Sequence, residues 1–542
     1  MRPLDLLIAG GTIVDGTGAP GFAGAVGIAT PGDASSEPTL VVLRDAAEIA
    51  AATEVAVRVV DATDKVVAPG FIDLHSHSGL MILADPVHEP KVRQGVTTEV
   101  IGVDGLSYAP MRDAATLAEL VEMNAGLDGH PDIDYDWDTV ESYLGRFDRG
   151  VGPNIAFVVG NSALRLAALG WDEVAADDAA IRSMRSMLVE AMDEGAFGLS
   201  SGLDYPPGAY ATTEELAALA GVSAKHGGFY HTHVRYTLGD RFLDPFREAI
   251  EIGRRGESPA HITHFYHRAT FPGTPEQMLG LVDDARSEGL DVTFDAYPYE
   301  WASTRLLITL PTWVQAGGPT PTKERLADRA VRDRIRGELR ERGQLYAGAG
   351  GLADIRLGYF ASPENLRWEA RTVGEISGEL GLDAVDVVCD LLLSESLRIN
   401  QVTPGPHADG IRRFYQHPIS MVGTDSTFLG DKPSPRTYGS YPRILGQFVR
   451  DEGLLGLEAA IAKMTSMPAA RLGLTTRGRI ADGLAADLVV FNPRAVRSDA
   501  SYDHPRELAC GIEIVLVNGT PVVEGVLTTG ATPGRGLRHG RD

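Results

Sequence analysis

The chain has very little cysteine, with Cys389 and Cys510 as the only two among its 542 residues. Two cysteines without a CxxC spacing cannot build a disulfide framework, which excludes a small scaffold held together by disulfides. Apolar runs are also short, and because none reaches 18 uncharged residues, we expect no transmembrane helix. Residues 1–8 contain an acid inside a very short apolar run, which is not the pattern of a signal peptide. We therefore expect a cytoplasmic protein.

Basic side chains are few as well. The chain has 49 lysines and arginines against 74 aspartates and glutamates, a formal net charge of -25. Nucleic acids and anionic membrane surfaces repel such a chain, so we expect neither as a partner. The 44% apolar and 23% charged content is ordinary for a globular protein. A metal cation is compatible with this charge, and so is plain solubility. The expected partner is a small-molecule substrate, with a homo-oligomer as a further possibility.

Both ends of the chain show short apolar runs separated by turn residues, a pattern typical of strands. These runs are residues 6–8, 12–14, 25–28 and 40–43 near one end, and 486–491, 512–517 and 521–526 near the other. We predict that residues 1–65 and 475–542 together form one small β-sandwich domain. Between two of the first runs, Gly16, Gly18 and Gly21 match G-x-G-x-x-G, but no helical pattern follows, so we predict a hairpin loop and no dinucleotide site.

The middle of the chain, residues 66–474, alternates short apolar segments with amphipathic stretches. The strand candidates are residues 154–159, 198–200, 229–233, 260–264, 291–295 and 420–425, and the helix candidates include 178–193, 213–226 and 275–288. This alternation predicts an α/β fold and favours a (β/α)8 TIM-like barrel, with an open doubly wound sheet as the alternative. The charged helical segment 322–343 fits no barrel strand, and we assign it to an insertion near residues 305–365.

His75 and His77 follow the apolar strand that opens this middle region. Residues i and i+2 of a strand point to the same face, so the two imidazoles should converge. Imidazoles at this spacing can ligate one divalent ion. An HxH pair also arises by chance, but its position at a strand end supports a metal site.

Further histidines close later strand candidates, at the end where barrel active sites assemble. His231 and His233 share a face. His261 and His264 are three residues apart, so we expect them on opposite faces with only one pointing inward, and His264 is nearer the strand end. The remaining histidines stand in polar, turn-like or loop surroundings and are predicted to be surface or structural: His88, His130, His226, His267, His407, His417, His504 and His539.

Two aspartates end apolar runs, Asp295 and Asp425. A carboxylate at the end of a buried strand is costly unless it is paired or bound to a metal. A helix cap or an exposed loop acid would explain either residue alone. Together with the strand-end histidines, they form a constellation that packing does not explain.

At this point the sequence resembles the metal-dependent amidohydrolase superfamily and, within it, the D-aminoacylase (N-acyl-D-amino-acid deacylase) family. The resemblance covers nearly the whole chain. The strings that carry it are PGFIDLHSH at 69–77, QGVTT at 94–98, GVDGLS at 102–107, GLSSGL at 198–203, THVR at 232–235, DAYPY at 295–299, GTD at 423–425, PSPR at 433–436 and GATPGR at 530–535.

The resemblance implies a barrel with one or two divalent ions, usually Zn²⁺, beside a small β-sandwich built from both chain ends. In this sequence His75 and His77 match one metal site, and His233 and His264 match the other. Asp425 matches the carboxylate that binds metal and, as general base and then general acid, moves the proton during hydrolysis of an amide C–N bond. The positions expected around the substrate carboxylate are matched by Tyr297, Ser303 and Arg436.

The sequence departs from the family pattern at two places. Asp104 stands where the family usually has a bridging Cys, and since a carboxylate can also bridge two cations and no carboxylated Lys is evident, we predict Asp104 as the bridge. After His264 the family reads His-His-Lys, with the Lys holding the substrate carboxylate. Here the chain continues to Arg268, which would substitute with a different reach.

The resemblance thus implies a hydrolase acting on N-acyl-D-amino acids or close relatives. The alternatives are a cyclic amide or imide hydrolase, of the dihydroorotase or hydantoinase kind, and a barrel that binds without catalysis.

Overall fold

The structure is a computed structural model that describes residues 4–30, 37–236, 239–268, 271–342, 351–405 and 407–542. Its strands are β1 Leu6–Ile13, β2 Phe22–Ala29, β3 Thr39–Leu43, β4 Val59–Asp61, β5 Val66–Pro69, β6 Phe71–Asp73, β7 Val96–Ile101, β8 Asn154–Phe157, β9 Val159–Gly160, β10 Gly198–Gly202, β11 Phe229–His233, β12 Ala260–Ile262, β13 Val292–Ala296, β14 Trp301–Arg305, β15 Arg356–Tyr359, β16 Asn400–Pro404, β17 Ser420–Val422, β18 Leu488–Phe491, β19 Ile512–Val517, β20 Thr520–Glu524 and β21 Leu527–Thr528. Its helices are α1 Ala46–Val55, α2 Met81–Ala84, α3 Glu89–Val92, α4 Ala114–Asp128, α5 Val140–Phe147, α6 Asn161–Leu169, α7 Asp178–Asp193, α8 Thr213–Lys225, α9 Asp244–Gly256, α10 Pro275–Ser287, α11 Pro319–Ala327, α12 Arg329–Arg342, α13 Val373–Leu380, α14 Ala384–Ser394, α15 Ala408–Gln416, α16 Arg436–Arg443, α17 Leu457–Met464 and α18 Ser466–Leu472.

Parallel strands in the middle of the chain close into a barrel. One run of parallel pairs is β6–β7–β8, and the other is β9–β10–β11–β12–β13–β17. β8 and β9 are separated by Val158 alone, so they act as one strand position. A parallel bridge between Ser76 and Ser426 joins the segment after β6 to the segment after β17 and completes the circle. The predicted (β/α)8 barrel is confirmed over the open sheet.

The predicted helices form because their apolar residues recur on one face. In α7, Met184, Leu188 and Ala191 are buried at helical spacing. The Asp177 side chain accepts a hydrogen bond from the Ala180 backbone NH, which caps the first turn. Such helices cover the outside of the barrel, so its strands can be buried along their whole length.

Both chain ends contribute to a single sheet. Within the described residues this sheet has nine strands, in the order β21–β20–β19–β18–β5–β1–β2–β3, with β4 also pairing with β1. Ile8, Val26, Leu488 and Leu516 pack in its core, so residues from both termini bury one another. Residues 14–21 connect the antiparallel strands β1 and β2, which confirms the predicted hairpin loop at the glycine motif.

The chain between β13 and β17 leaves the barrel and returns. It carries the antiparallel sheet β14–β16–β15 and helices α11 to α15. The insertion predicted near residues 305–365 falls in this segment, although its residues 343–350 lie outside the described residues. Across the described ranges, no helix combines the length and the apolar character needed to cross a membrane.

Candidate metal centre

The six residues predicted as metal ligands come together at the carboxyl ends of the barrel strands. Asp104 lies at the centre of the group. Its Oδ1 is 3.4 Å from His75 Nε2, and its Oδ2 is 3.6 Å from His77 Nε2. The same Oδ2 lies 3.4 Å from His233 Nδ1 and 3.6 Å from His264 Nε2. One carboxylate therefore faces both histidine pairs.

Asp425 completes one side of the group. Its Oδ1 lies 3.3 Å from His77 Nε2 and 3.5 Å from His75 Nε2. Two ligand sets result, and they share Asp104: the first is His75, His77, Asp104 and Asp425, and the second is Asp104, His233 and His264. All of these residues are buried.

The backbone aims three of these side chains by turning sharply just after a strand. Asp104, His264 and Asp425 have φ angles of 54°, 32° and 49°, in the left-handed region that residues other than glycine rarely adopt. Backbone of this kind concentrates at functional sites. The turn at Asp104 also packs closely on β10 at Gly202. A Cβ at this glycine would lie only 1.8 Å from the Asp104 carbonyl oxygen.

The expectation that only one of His261 and His264 points inward is wrong. The strand β12 ends at Ile262, and the left-handed turn at His264 brings its side chain back over the barrel. His261 Nε2 meanwhile lies 3.0 Å from Asp295 Oδ2, and the His261 ring stacks on His231. Strand alternation failed here because it does not continue past the end of the strand.

Three ligand histidines have their second ring nitrogen held by a further side chain. His77 Nδ1 lies 2.8 Å from Asp128 Oδ1, and His233 Nε2 lies 3.0 Å from Asp204 Oδ2. His264 Nδ1 lies 3.1 Å from the Tyr236 hydroxyl. Partners of this kind fix the orientation of a metal-binding imidazole. Sequence reasoning missed all three, since none forms a motif with the histidine it holds.

The donor set fits a divalent metal ion. Within the described ranges, both ring nitrogens of His75 and Nε2 of His77 are buried without a hydrogen-bond partner. Buried polar atoms without partners are rare and call for an explanation. Imidazoles with carboxylates are ligands that suit zinc. His75, His77, Asp104, His233, His264 and Asp425 would hold one or two such ions.

Burial disfavours the charged form of every group in the cluster. For most of these groups, neighbouring opposite charges together have the larger effect on the pKa. Asp104 raises the pKa of His233 to about 9 despite burial. His75 and His233 hold the pKa of Asp104 well below its usual range. Arg436, followed by His75, lowers the pKa of Asp425 to about 2. His264 is the exception, since burial keeps the pKa of its imidazole below the usual value. The carboxylates are therefore ionised and ready to bind a cation.

The residues predicted around the substrate lie on the Asp425 side. Arg436 Nη1 is 2.8 Å from Asp425 Oδ2, and Arg436 Nη2 donates a hydrogen bond to the Ser303 carbonyl oxygen at 2.9 Å. The guanidinium also stands 4.5 Å above the Tyr297 ring. Ser303 Oγ itself donates to Asn400 Oδ1. Arg268 lies further along this side, where its Nη2 donates to the Tyr266 hydroxyl.

Comparison with known proteins places this site in a family. A model described as the amidohydrolase family matches residues 58–523. The D-aminoacylase of Alcaligenes xylosoxydans xylosoxydans is 34% identical over 99% of this chain and 98% of its own length. The chain belongs to the amidohydrolase family. The predicted membership and the predicted enzyme class are confirmed.

Solved structures show the same relationship. A crystal structure of N-acyl-D-glutamate deacylase from Bordetella bronchiseptica, complexed with zinc and a phosphonate inhibitor, has a TM-score of 0.81 and 31% identity, covering 99% of this chain and 100% of that one. A dihydropyrimidinase from Brevibacillus agri reaches a TM-score of 0.56 at 16% identity, covering 98% of each chain. The second likeness shows the fold alone.

Proposed function

We propose that this protein is a metal-dependent hydrolase that removes the acyl group from N-acyl-D-amino acids or from close relatives of them. The observation that carries the proposal is the arrangement around Asp104, which brings His75, His77 and Asp425 to one side and His233 and His264 to the other. The likeness to deacylases over the whole chain supports the same substrate class. The cyclic amide hydrolases share the fold at much lower identity.

The six clustered residues are proposed as the ligands of one or two divalent ions, with Zn²⁺ favoured by the donor set. When bound, such an ion polarises the scissile carbonyl and acidifies a water molecule. The site belongs to a proposed barrel domain of residues 66–474, beside a β-domain of residues 1–65 and 475–542. The strand β5, at the start of the first range, pairs within the sheet of the β-domain.

Asp425 is proposed as the group that moves the proton. It takes a proton from the attacking water as general base and returns it to the leaving nitrogen as general acid. Its low pKa and its buried position beside Arg436 keep it ionised before the reaction. Its second oxygen is held by Arg436, so the first remains directed at His75 and His77.

Tyr297, Ser303, Arg436 and Arg268 are proposed around the substrate carboxylate. Within the described part of the chain, the Tyr297 hydroxyl is buried without a hydrogen-bond partner, so it is available to a substrate oxygen. Arg436 would contribute positive charge next to Asp425. Its planar guanidinium also has the donor geometry that suits a carboxylate.

The proposal is tested with a substrate panel on the metal-reconstituted protein. The panel contains N-acyl-D-amino acids with apolar and acidic side chains, their L-enantiomers, and cyclic ureides. We expect turnover of the D-enantiomers and little or none of the others. Turnover confined to rings would overturn the proposal in favour of a cyclic amide hydrolase. Less than about half an equivalent of tightly bound divalent ion, without turnover, would favour a binding barrel.

We also propose that the enzyme acts in the cytoplasm on a small molecule, without nucleic acid or membrane partners, because its charge of -25 repels both. Assembly into a homo-oligomer is a separate proposal, which light scattering coupled to size-exclusion chromatography would test.

A further inference from the structure

A single hydroxyl group, that of Ser200 on β10, closes the loop of residues 102–105 that carries Asp104. It donates a hydrogen bond to the Gly102 carbonyl oxygen and accepts one from the Gly105 backbone NH at 3.1 Å. The hydroxyl therefore joins the residue two positions before Asp104 to the residue directly after it. The Ser200 side chain is fully buried, so bulk water does not compete for either bond. We call residues 102–105 the Asp104 loop.

The backbone of the Asp104 loop needs support from its surroundings. Its φ angles are 78° at Gly102, 54° at Asp104 and 71° at Gly105, all in the left-handed region. A residue with a side chain keeps such a conformation only where the surrounding structure imposes it. The Ser162 backbone NH holds the far end of the loop through the Gly105 carbonyl oxygen, at 3.2 Å. The two bonds to Ser200 are the ones that span Asp104 itself.

The Asp104 carboxylate depends on this backbone for its position. Its contact with a neighbouring hydroxyl is long, because Thr263 Oγ1 lies 3.4 Å from Asp104 Oδ1. The same hydroxyl also donates to the Thr232 carbonyl oxygen at 3.1 Å. A hydroxyl has one hydrogen and cannot serve both acceptors fully. Thr263 therefore holds the carboxylate weakly, and the loop backbone decides where the carboxylate lies between the two ligand sets.

We propose that Ser200 is a positioning residue of the metal centre, whose hydroxyl fixes the Asp104 loop so that one carboxylate faces both ligand sets. The inference rests on the proposed function in one respect, the role of Asp104 as the shared metal ligand. Ser200 is not a ligand itself. It acts through the backbone on either side of Asp104, so its loss loosens the carboxylate without removing it.

Ser201, the next residue of β10, supplies a matched control. Successive residues of a strand point to opposite faces, and Ser201 is as fully buried as Ser200. Its Oγ lies 2.6 Å from the Tyr230 hydroxyl and 2.9 Å from Thr232 Oγ1, and neither group belongs to the Asp104 loop. Each serine thus forms two hydrogen bonds through one buried hydroxyl. Replacement by Ala removes the same atom at either position.

The test measures affinity for Zn²⁺ by chelator competition in Ser200→Ala and Ser201→Ala. Ser200→Ala should bind Zn²⁺ about 10-fold more weakly than the wild type, the lower end of the range for residues that orient a ligand. Ser201→Ala should keep the wild-type affinity. With Co²⁺ in place of Zn²⁺, the visible absorption reports the geometry of the ligands, so it should shift in Ser200→Ala and not in Ser201→Ala. Equal effects of the two substitutions would overturn the proposal, since they would reflect the loss of any buried hydroxyl.

A double-mutant cycle with Asp104→Ala tests whether Ser200 acts through Asp104. Once the carboxylate is gone, loss of the Ser200 hydroxyl should weaken metal binding no further, so the double variant should match Asp104→Ala. Additive losses would overturn the proposal. A wild type that binds metal but hydrolyses no N-acyl-D-amino acid defeats the proposed function alone, because affinity and absorption are measured without substrate. An active wild type whose Zn²⁺ affinity is unchanged in Ser200→Ala defeats this inference alone.

Discussion

Arg436 and Asp425 form an ion pair at the edge of the metal centre, with Arg436 Nη1 2.8 Å from Asp425 Oδ2. Arg436 is fully buried, and Asp425 is nearly so. The pair leaves the other carboxylate oxygen free for His75 and His77. One arginine thus neutralises and orients the residue proposed to move the proton, and the same arginine is a proposed substrate anchor.

Arg436→Met should therefore destabilise the metal-free protein. Removing one partner of a buried ion pair leaves an uncompensated charge, which costs about 3–5 kcal/mol of unfolding free energy. Urea denaturation measures the loss. Arg436→Lys should lose less unfolding free energy than Arg436→Met, because it keeps the charge. It should still be less stable than the wild type, because an ammonium group cannot reach both Asp425 and the Ser303 carbonyl. The double variant Arg436→Met with Asp425→Asn should be more stable than Arg436→Met alone, because it removes the unpaired charge. Equal stabilities would mean that the unpaired Asp425 carboxylate costs nothing.

Asp425→Asn should abolish most of the turnover while the protein stays folded. An amide cannot accept the proton from water, so kcat should fall by about 100- to 10,000-fold, the range for loss of a general base. Since Asp425 is also a proposed ligand, activity is expressed per bound metal, determined by elemental analysis of the same sample. Near-normal turnover per bound metal would remove Asp425 from the proton-transfer role.

Asp104 should be the residue on which both ligand sets depend. In Asp104→Ala both sets lose their shared carboxylate, so metal affinity measured by chelator competition should fall by more than about 100-fold, the upper range for residues that only orient a ligand. Asp104→Cys should keep metal, because a thiolate also ligates zinc. Its unfolding free energy, measured by urea denaturation, should be lower by about 1 kcal/mol, because φ at this position is 54° and aspartate tolerates this region better than cysteine. Metal affinity unchanged in Asp104→Ala would contradict the shared role.

Periodic patterns predicted the fold and pointed to the strand-end histidines and to Asp425, whereas the assignment of Asp104 as a ligand came from the resemblance to the family. The strand predicted at 229–233 and the helix predicted at 178–193 have the boundaries seen in β11 and α7. His75, His77 and Asp425 stand just after strands, and the ends of parallel barrel strands meet at one face. Their convergence therefore needed no knowledge of distant contacts.

The residues that escaped prediction are those placed by contacts between segments far apart in the chain. Asp128 ends α4 and reaches His77 across 51 positions, and no local pattern marks such a pairing. His261 and His264 were misjudged because strand alternation stops where the backbone turns left-handed.

Asp128 offers a test of how far such a distant contact controls the metal centre. Its Oδ1 holds His77 Nδ1, and its Oδ2 accepts a hydrogen bond from the Tyr108 hydroxyl at 2.6 Å. In Asp128→Asn the imidazole of His77 loses its carboxylate partner, so affinity for Zn²⁺ should fall by about 10- to 100-fold in chelator competition. Tyr108→Phe is the matched control, because it removes the neighbouring contact and leaves the carboxylate on His77. Its effect on affinity should be several-fold smaller. Equal losses in the two variants would mean that packing around Asp128, and not its bond to His77, sets the affinity of the site.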